Sequence, residues 1–444
     1  MYLKRLSVSL TIAIWAVAIT SLLANDESVD FKGKSISEFV SPDGRIDLDA
    51  VRESGYQGAL DLKGVDVRID PKTGEPLVEA ALAASSASDP DDIYWDNSIS
   101  PSLPGVNGSI YAVTVYDSNL IVGGQFTIAG GVFANNIASW DGLSWSALGT
   151  GMSAITAYVY ALTVYNNKLI AGGNFTTAGG VAVNYIAAWD GTSWSALGSG
   201  MNGQYPSISA LTVYDNQLIA GGHFTTAGGV AVNHIAAWDG SSWSALGTGM
   251  GGTSTSLGVR ALTVYDNKLI AGGDFTTAEG VVVDHIAAWD GTSWSALGPG
   301  MNHIVQVLTV YDNQLIAGGV FTTAGGGAAN CIASWDGSTW SALGTGMGGE
   351  YAYYVVALTV YDGKLIAGGP FTTAGGAAAS RIAAWNGSSW SALESGMNSI
   401  VFALTVYDNK LIAGGGLQLP EVLEPLELLP GMVQTRAGRL WDRE

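Results

Sequence analysis

Apolar and polar positions alternate along this chain in short runs, and the runs come back about every fifty residues. Ala261-Leu262-Thr263-Val264-Tyr265 alternates as a half-buried strand does. Asp266-Asn267 then makes a two-residue turn; in another copy the pair is Asp362-Gly363, the residue choice favoured where both positions need φ > 0. A second strand, Lys268 to Gly273, ends in two glycines, whose bare backbones permit the close approach expected near a crowded axis. A polar turn, Thr276-Thr277-Ala278, leads to a third strand, Ile286-Ala287-Ala288-Trp289. The loop Asp290-Gly291-Thr292-Ser293 returns the chain into a fourth strand at Trp294. Each unit therefore predicts four strands.

The unit occurs six times with little change. The phenylalanine after the paired glycines falls at Phe126, Phe175, Phe224, Phe275, Phe321 and Phe371, with gaps of 49, 49, 51, 46 and 50. A fixed period in this range marks a stacked or circular array of supersecondary units. Four-stranded units in such an array predict an all-β fold, a β-propeller. The third and fourth strands place two tryptophans opposite one another in every unit: Trp140 and Trp145, Trp189 and Trp194, Trp238 and Trp243, Trp289 and Trp294, Trp335 and Trp340, Trp385 and Trp390. A residue that held a ligand would not need six copies, so these pairs are expected to pack one blade on the next.

The array is out of phase with its ends. Asp92 to Ser98 stands where an outer strand belongs, and Ala403 to Gly415 supplies the first two strands of a seventh unit. Joining the two in one composite blade would leave neither edge open. The organisation expected is a signal peptide over 1–24, an acidic segment and linker over 25–92, a propeller of six full units and a partial seventh over 93–415, and a non-repeat tail over 416–444. In the tail Pro420, Pro425 and Pro430 forbid one continuous helix, and no strand alternation follows. A truncated or frame-shifted end accounts for it, with a sorting or docking tail as the alternative.

Strand, short turn, strand ending Gly-Gly, and then an aromatic-Asp strand with a following tryptophan resemble the kelch-type propeller repeat. The residues that carry the likeness are LTVYDNKLIAGG and IAAWDGTSW, and it extends from Tyr111 to about Gly415. Tryptophan stands where kelch units usually carry tyrosine, and the gap to the second tryptophan is short. The unit looks closest to the Gly-Gly-x-Phe-Thr variants of exported, multi-repeat bacterial proteins. That resemblance implies a fold and little about activity, since one fold hosts many functions. Trp-Asp-Gly-x-x-Trp also resembles the Asp-box of sialidases, one residue short. Sialidases need an arginine triad, whereas the array holds only Arg260 and Arg381.

Charge narrows the partners. The chain carries 38 Asp and Glu against 18 Lys and Arg, a net −20, and half of that excess lies between Asn25 and Asp96. Such a surface repels phosphate backbones and anionic membranes, so nucleic acid is not an expected partner. Lys4 and Arg5 precede an apolar run from Leu6 to Ala24, the form of a secretory signal; the run is long enough that an uncleaved membrane anchor is the alternative. The mature chain is therefore expected to be secreted or at the cell surface or periplasm, as a monomer. Asp43 to Asp49 is rich in acids but lacks the glycine and terminal glutamate of a calcium-binding EF-hand loop, and reads as a solvated patch.

Candidate chemistry is thin. Cys331 is the single cysteine, so no intrachain disulfide forms. It shares a slot with Asn136, Tyr185, His234, His285 and Arg381, which reads as a variable, exposed position. The four histidines, His223, His234, His285 and His303, lie at no metal-ligand spacing, and neither a metal nor a cofactor is expected. The galactose-oxidase type of copper site, also on a kelch-like propeller, needs a cysteine joined to tyrosine, and Cys331 lacks that setting. No catalytic residues are assigned. The segments from Gly-Met to the next first strand vary in length and character, and loops on a rigid scaffold are where recognition resides. Tyr205, His303, Tyr351 and Tyr353 in those segments are the candidate ligand-binding residues, with Tyr354 facing the other way. The reading is a non-enzymatic module that binds protein or carbohydrate. The alternative is an exported carbohydrate-active hydrolase or lyase, which would need Asp274 and Glu279, or Asp284 and Glu350, to converge within about 5–10 Å.

Overall fold

Local turn chemistry sets the strands, and close contacts between repeats set the ring. The computed structural model describes residues 105–416, apart from 155, 253, 255–257 and 350–352, together with four short strands between residues 34 and 80. Two compact units are formed, residues 1–89 and 90–444. In the first, Lys34–Ser35 runs parallel to Leu60–Asp61, and Val65–Ile69 pairs antiparallel with Pro76–Ala80. The expectations for the leader, the 43–49 cluster, the Asp92 to Ser98 strand and residues 417–444 lie outside the described residues.

The second unit contains six four-stranded antiparallel sheets whose strand order follows chain order. The first is Ser109–Tyr116, Asn119–Gln125, Ile137–Trp140 and Trp145–Ala147. A final pair, Val401–Tyr407 with Lys410–Gly415, forms a two-stranded sheet. The hairpin joining first and second strands has positive φ at both turn residues, +48° at Asp266 and +55° at Asn267, as that turn type requires.

The link from second to third strand is more structured than a polar turn. In the fourth repeat it is a small hairpin, Thr277–Ala278 with Val281–Val282. Met250–Gly251, which follows the fourth strand of the preceding repeat, pairs with Thr277–Ala278 as well. The fourth-to-first and second-to-third connections thus lie on one face and tie neighbouring repeats together.

The paired glycines sit on the second strand, one strand out from the axis. What they accommodate is the adjacent repeat. A Cβ on Gly172 would come within 2.5 Å of Ile208 Cγ2 in the next repeat. The same relation closes the circle: a Cβ on Gly414 would come within 2.5 Å of Ile110 Cγ2 in the first repeat. The tryptophans continue the stitching at the outer strands. Trp289 and Trp294 are cross-strand partners with ring centroids 5.4 Å apart, tilted by 47°. Trp294 Nε1 donates to the Leu246 carbonyl of the preceding repeat at 3.1 Å, and Trp194, Trp243, Trp340 and Trp390 repeat that bond. Between the sheets lie apolar layers such as Phe275, Leu269, Val259 and Met250, all buried.

The chain is an all-β propeller. Its seven first strands surround a central channel, three residues from each forming the wall.

Candidate functional site: the mouth of the central channel

Six of the seven first strands enter the ring through the same irregularity. In the first repeat the pairing register passes from Ile110 to Ala112 and leaves Tyr111 as the extra residue of a β-bulge. Bulges re-aim a side chain, and here the re-aimed residue faces the channel. Tyr160, Ser209, Arg260, Gln306 and Phe402 are bulged alike. Val356 holds the equivalent place just before the shorter strand Ala357–Tyr361. Ala112, Ala161, Ala210, Ala261, Ala357 and Ala403 are buried and Val307 half-buried, while the bulged residues stay partly exposed along the channel.

On the face that carries the inter-repeat connections the channel widens into a cavity of about 540 Å³. All seven bulge residues line it, together with Asn174, Tyr185, Tyr205, Pro206 and Ser207. One side is aromatic. Tyr158 and Tyr160 stack at 5.5 Å and 11°, Tyr111 leans on Tyr160 at 5.6 Å, and Phe402 leans on Tyr111 at 5.4 Å. Asn174 fixes the edge of this wall, its Oδ1 accepting from Tyr158 N at 2.6 Å. Burial pushes the Tyr160 hydroxyl up to about 12, aided by Tyr158 and Tyr111 and opposed by Arg260, so it is a neutral donor at physiological pH. Among the described residues of the wall Arg260 is the one that carries a charge, and no Asp or Glu lines it.

The residues singled out from sequence fare differently. Tyr205 stands at the cavity, 83 % exposed, with φ of +56° and its carbonyl 3.1 Å from His223 Nδ1. His303 is not on the cavity wall; its ring stacks on His285 at 6.2 Å. Tyr353 packs against the core cluster of Phe371 and Val355, and its carbonyl accepts from the Cys331 thiol. Tyr351 lies outside the described residues, as does Glu350. Asp274 accepts from Ser254, and Glu279 lies over Gly247 of the preceding repeat; neither lines the cavity.

The shared slot is not exposed: Cys331 and His234 are buried, at 1 % and 7 %, and Asn136, Tyr185, His285 and Arg381 are half-buried. Its residues adopt positive φ, from +65° to +77°, and exchange backbone bonds with the end of the second strand, as His234 does with Gly222 N–H and the Phe224 carbonyl. Burial pushes the Cys331 thiol up to about 12, so it is not a thiolate. His234 stacks on His223 at 5.7 Å rather than approaching His285. Among the described residues no three metal-ligating side chains converge. The Trp-Asp-Gly turns are structural: Asp190 accepts from the backbone N–H of Ser193 and Thr192, which holds its carboxyl well below the usual range.

The bulge residues were the part of the site that sequence reading missed. The signal was present: Tyr, Tyr, Ser, Arg, Gln, Val and Phe precede the otherwise constant Ala-Leu-Thr-Val-Tyr run or its variants.

No protein-family profile matches this sequence, and neither does any curated protein. Solved structures that are similar include the computationally designed Ika8 protein, 19 % identical, covering 71 % of this chain and 96 % of its own, at a TM-score of 0.44. The WD40 β-propeller domain of Doa1 is 15 % identical over 71 % of this chain and 92 % of its own, at 0.44. The extracellular domain of a hybrid two-component system from B. thetaiotaomicron is 10 % identical over 74 % of this chain and 38 % of its own, at 0.45. Among the described residues no helix is long and apolar enough to cross a membrane.

Proposed function

We propose that this protein is an exported, non-enzymatic binding module of the kelch-like kind, which takes a carbohydrate or protein ligand at the mouth of its channel. One observation carries the reading. Six full units and a partial seventh place Tyr, Tyr, Ser, Arg, Gln, Val and Phe at one equivalent inward-facing position, and all seven side chains converge on a single cavity. A near-constant scaffold that varies its side chains where they meet in a cavity supports recognition at that place. Tyr205, on a connection at the rim, belongs to the same surface; its flat face and hydroxyl suit a sugar ring or a protein side chain. Export rests on the Lys4-Arg5 start and the apolar run to Ala24.

A glycan array read together with a hydrolysis screen on the purified chain tests this. Binding without turnover, weakened when Tyr205 is replaced by alanine, is the expected result. Turnover of any polysaccharide would sink the binding-only reading in favour of the hydrolase or lyase.

A further inference from the structure

The seven bulge residues are chemically unequal. Five are uncharged polar or aromatic groups, one is Val356, and one is a cation, Arg260. Its place on the strand Gly258–Tyr265 is held by the same skipped register that aims Tyr111 and Tyr160 into the channel. A guanidinium in a walled cavity ordinarily has a carboxylate beside it. Among the described residues the wall contains no acid, and Arg260 Nε is sealed from solvent without an acceptor from the protein. The sister repeats show that the position does not need a cation for packing, since Ser209 and Gln306 fill it elsewhere.

From these features, and building on the binding-module reading above, we infer that the channel mouth selects a carboxylate-bearing sugar ring of the uronic acid class. Its carboxylate pairs with Arg260 and its ring lies against the Tyr160–Tyr111 wall. The fork of N–H donors on arginine fits a carboxylate in two parallel bonds. Tyr111 and Tyr160, the latter backed by the stacked Tyr158, present aromatic surface to the cavity, and Ser209, Gln306 and the neutral Tyr160 hydroxyl supply groups for ring hydroxyls. A cavity of about 540 Å³ has room for one such ring and part of its neighbour. Charge counting favours one carboxylate over a phosphate. With a single cation among the described wall residues and a net −20 on the chain, a dianion would bring in a second charge that Arg260 does not offset.

The test is isothermal titration calorimetry of the full chain with glucuronate, glucose and inorganic phosphate as probes, on the native protein and on Arg260→Gln. Glucuronate should bind at least about tenfold more tightly than glucose, and Arg260→Gln should remove that advantage, bringing the two affinities together. Arg260→Ser, the residue of the third repeat at this position, repeats the experiment should the glutamine variant fold poorly. Equal binding of glucuronate and glucose, or glucuronate affinity unmoved in both variants, overturns the proposal. So does phosphate binding as tightly as glucuronate. A neutral glycan or a protein that binds native chain and Arg260→Gln alike, yet loses affinity in Tyr205→Ala, removes the uronate inference and leaves the binding module standing.

Discussion

Trp289 shows what a repeated residue is for. It is 9 % exposed, faces Trp294 across the outer hairpin, and belongs to the layer that joins its blade to the preceding one. Truncation to alanine removes the ring and leaves a void that neighbouring strands cannot close. Trp289→Ala should cost about 3–5 kcal/mol, seen as a lower melting midpoint in calorimetry. His234 makes a different residue-scale prediction, about pH. Burial, with His223 stacked beside it, pushes its imidazole down to about 4, against about 6.5 in the unfolded chain. As pH falls, the unfolded chain takes up the proton first. The contribution of His234 is therefore complete above about pH 6.5 and declines until about pH 4, by at most about 3 kcal/mol. His234→Asn, the residue of the first repeat at this slot, should flatten denaturant midpoints between those pH values. An unaltered slope would show that His234 is not the group responsible.

At the scale of the element, what sequence made legible was whatever is decided locally. Strand alternation, the two-residue turn and the cross-strand tryptophans each follow from a few adjacent residues, and the sheets contain all three. The reason for Gly-Gly was less legible, because the partner of Gly172 is Ile208, thirty-six positions away and on another sheet. Gly172→Ala should cost about 1–3 kcal/mol, as overpacking in a close-packed interior does. Paired with Ile208→Ala it should recover part of that loss in a double-mutant cycle, whereas strictly additive losses would place the clash elsewhere. The bulge was hidden for a related reason. Val159, Tyr160 and Ala161 read as a continuous alternation, yet the ladder skips Tyr160. A one-residue skip reverses which face a side chain takes, and only the pairing with the second strand reveals it. The loops chosen from sequence lie on the face where the channel widens, but His303 and Tyr353 turn to a neighbouring ring and a core cluster instead of the cavity.

At the scale of the whole molecule the question is how a ring of repeats ends. The last strand pair packs on the first repeat through Gly414 and Ile110, and Phe402 meets Tyr111 across the same seam inside the channel. On the outside the seam differs from every other junction. Five second tryptophans donate to the leucine carbonyl of the repeat before them, while Trp145 Nε1 is buried with no acceptor. Gly105 and Val106 nevertheless occupy, against Gly130 and Ala129, the places that Gly151 and Met152 occupy in the next junction. The junction is thus built as far out as those residues and lacks the bond beyond them. A buried donor without a partner costs stability, and replacing it by a ring of similar shape relieves that cost. Trp145→Phe should therefore be close to neutral, whereas Trp243→Phe strands the Leu197 carbonyl and should cost about 1–3 kcal/mol. Parallel thermal unfolding of the two variants measures the difference. Equal losses at both positions would mean that chain preceding Gly105 supplies Trp145 with a carbonyl, and that the seam is bonded like the other junctions.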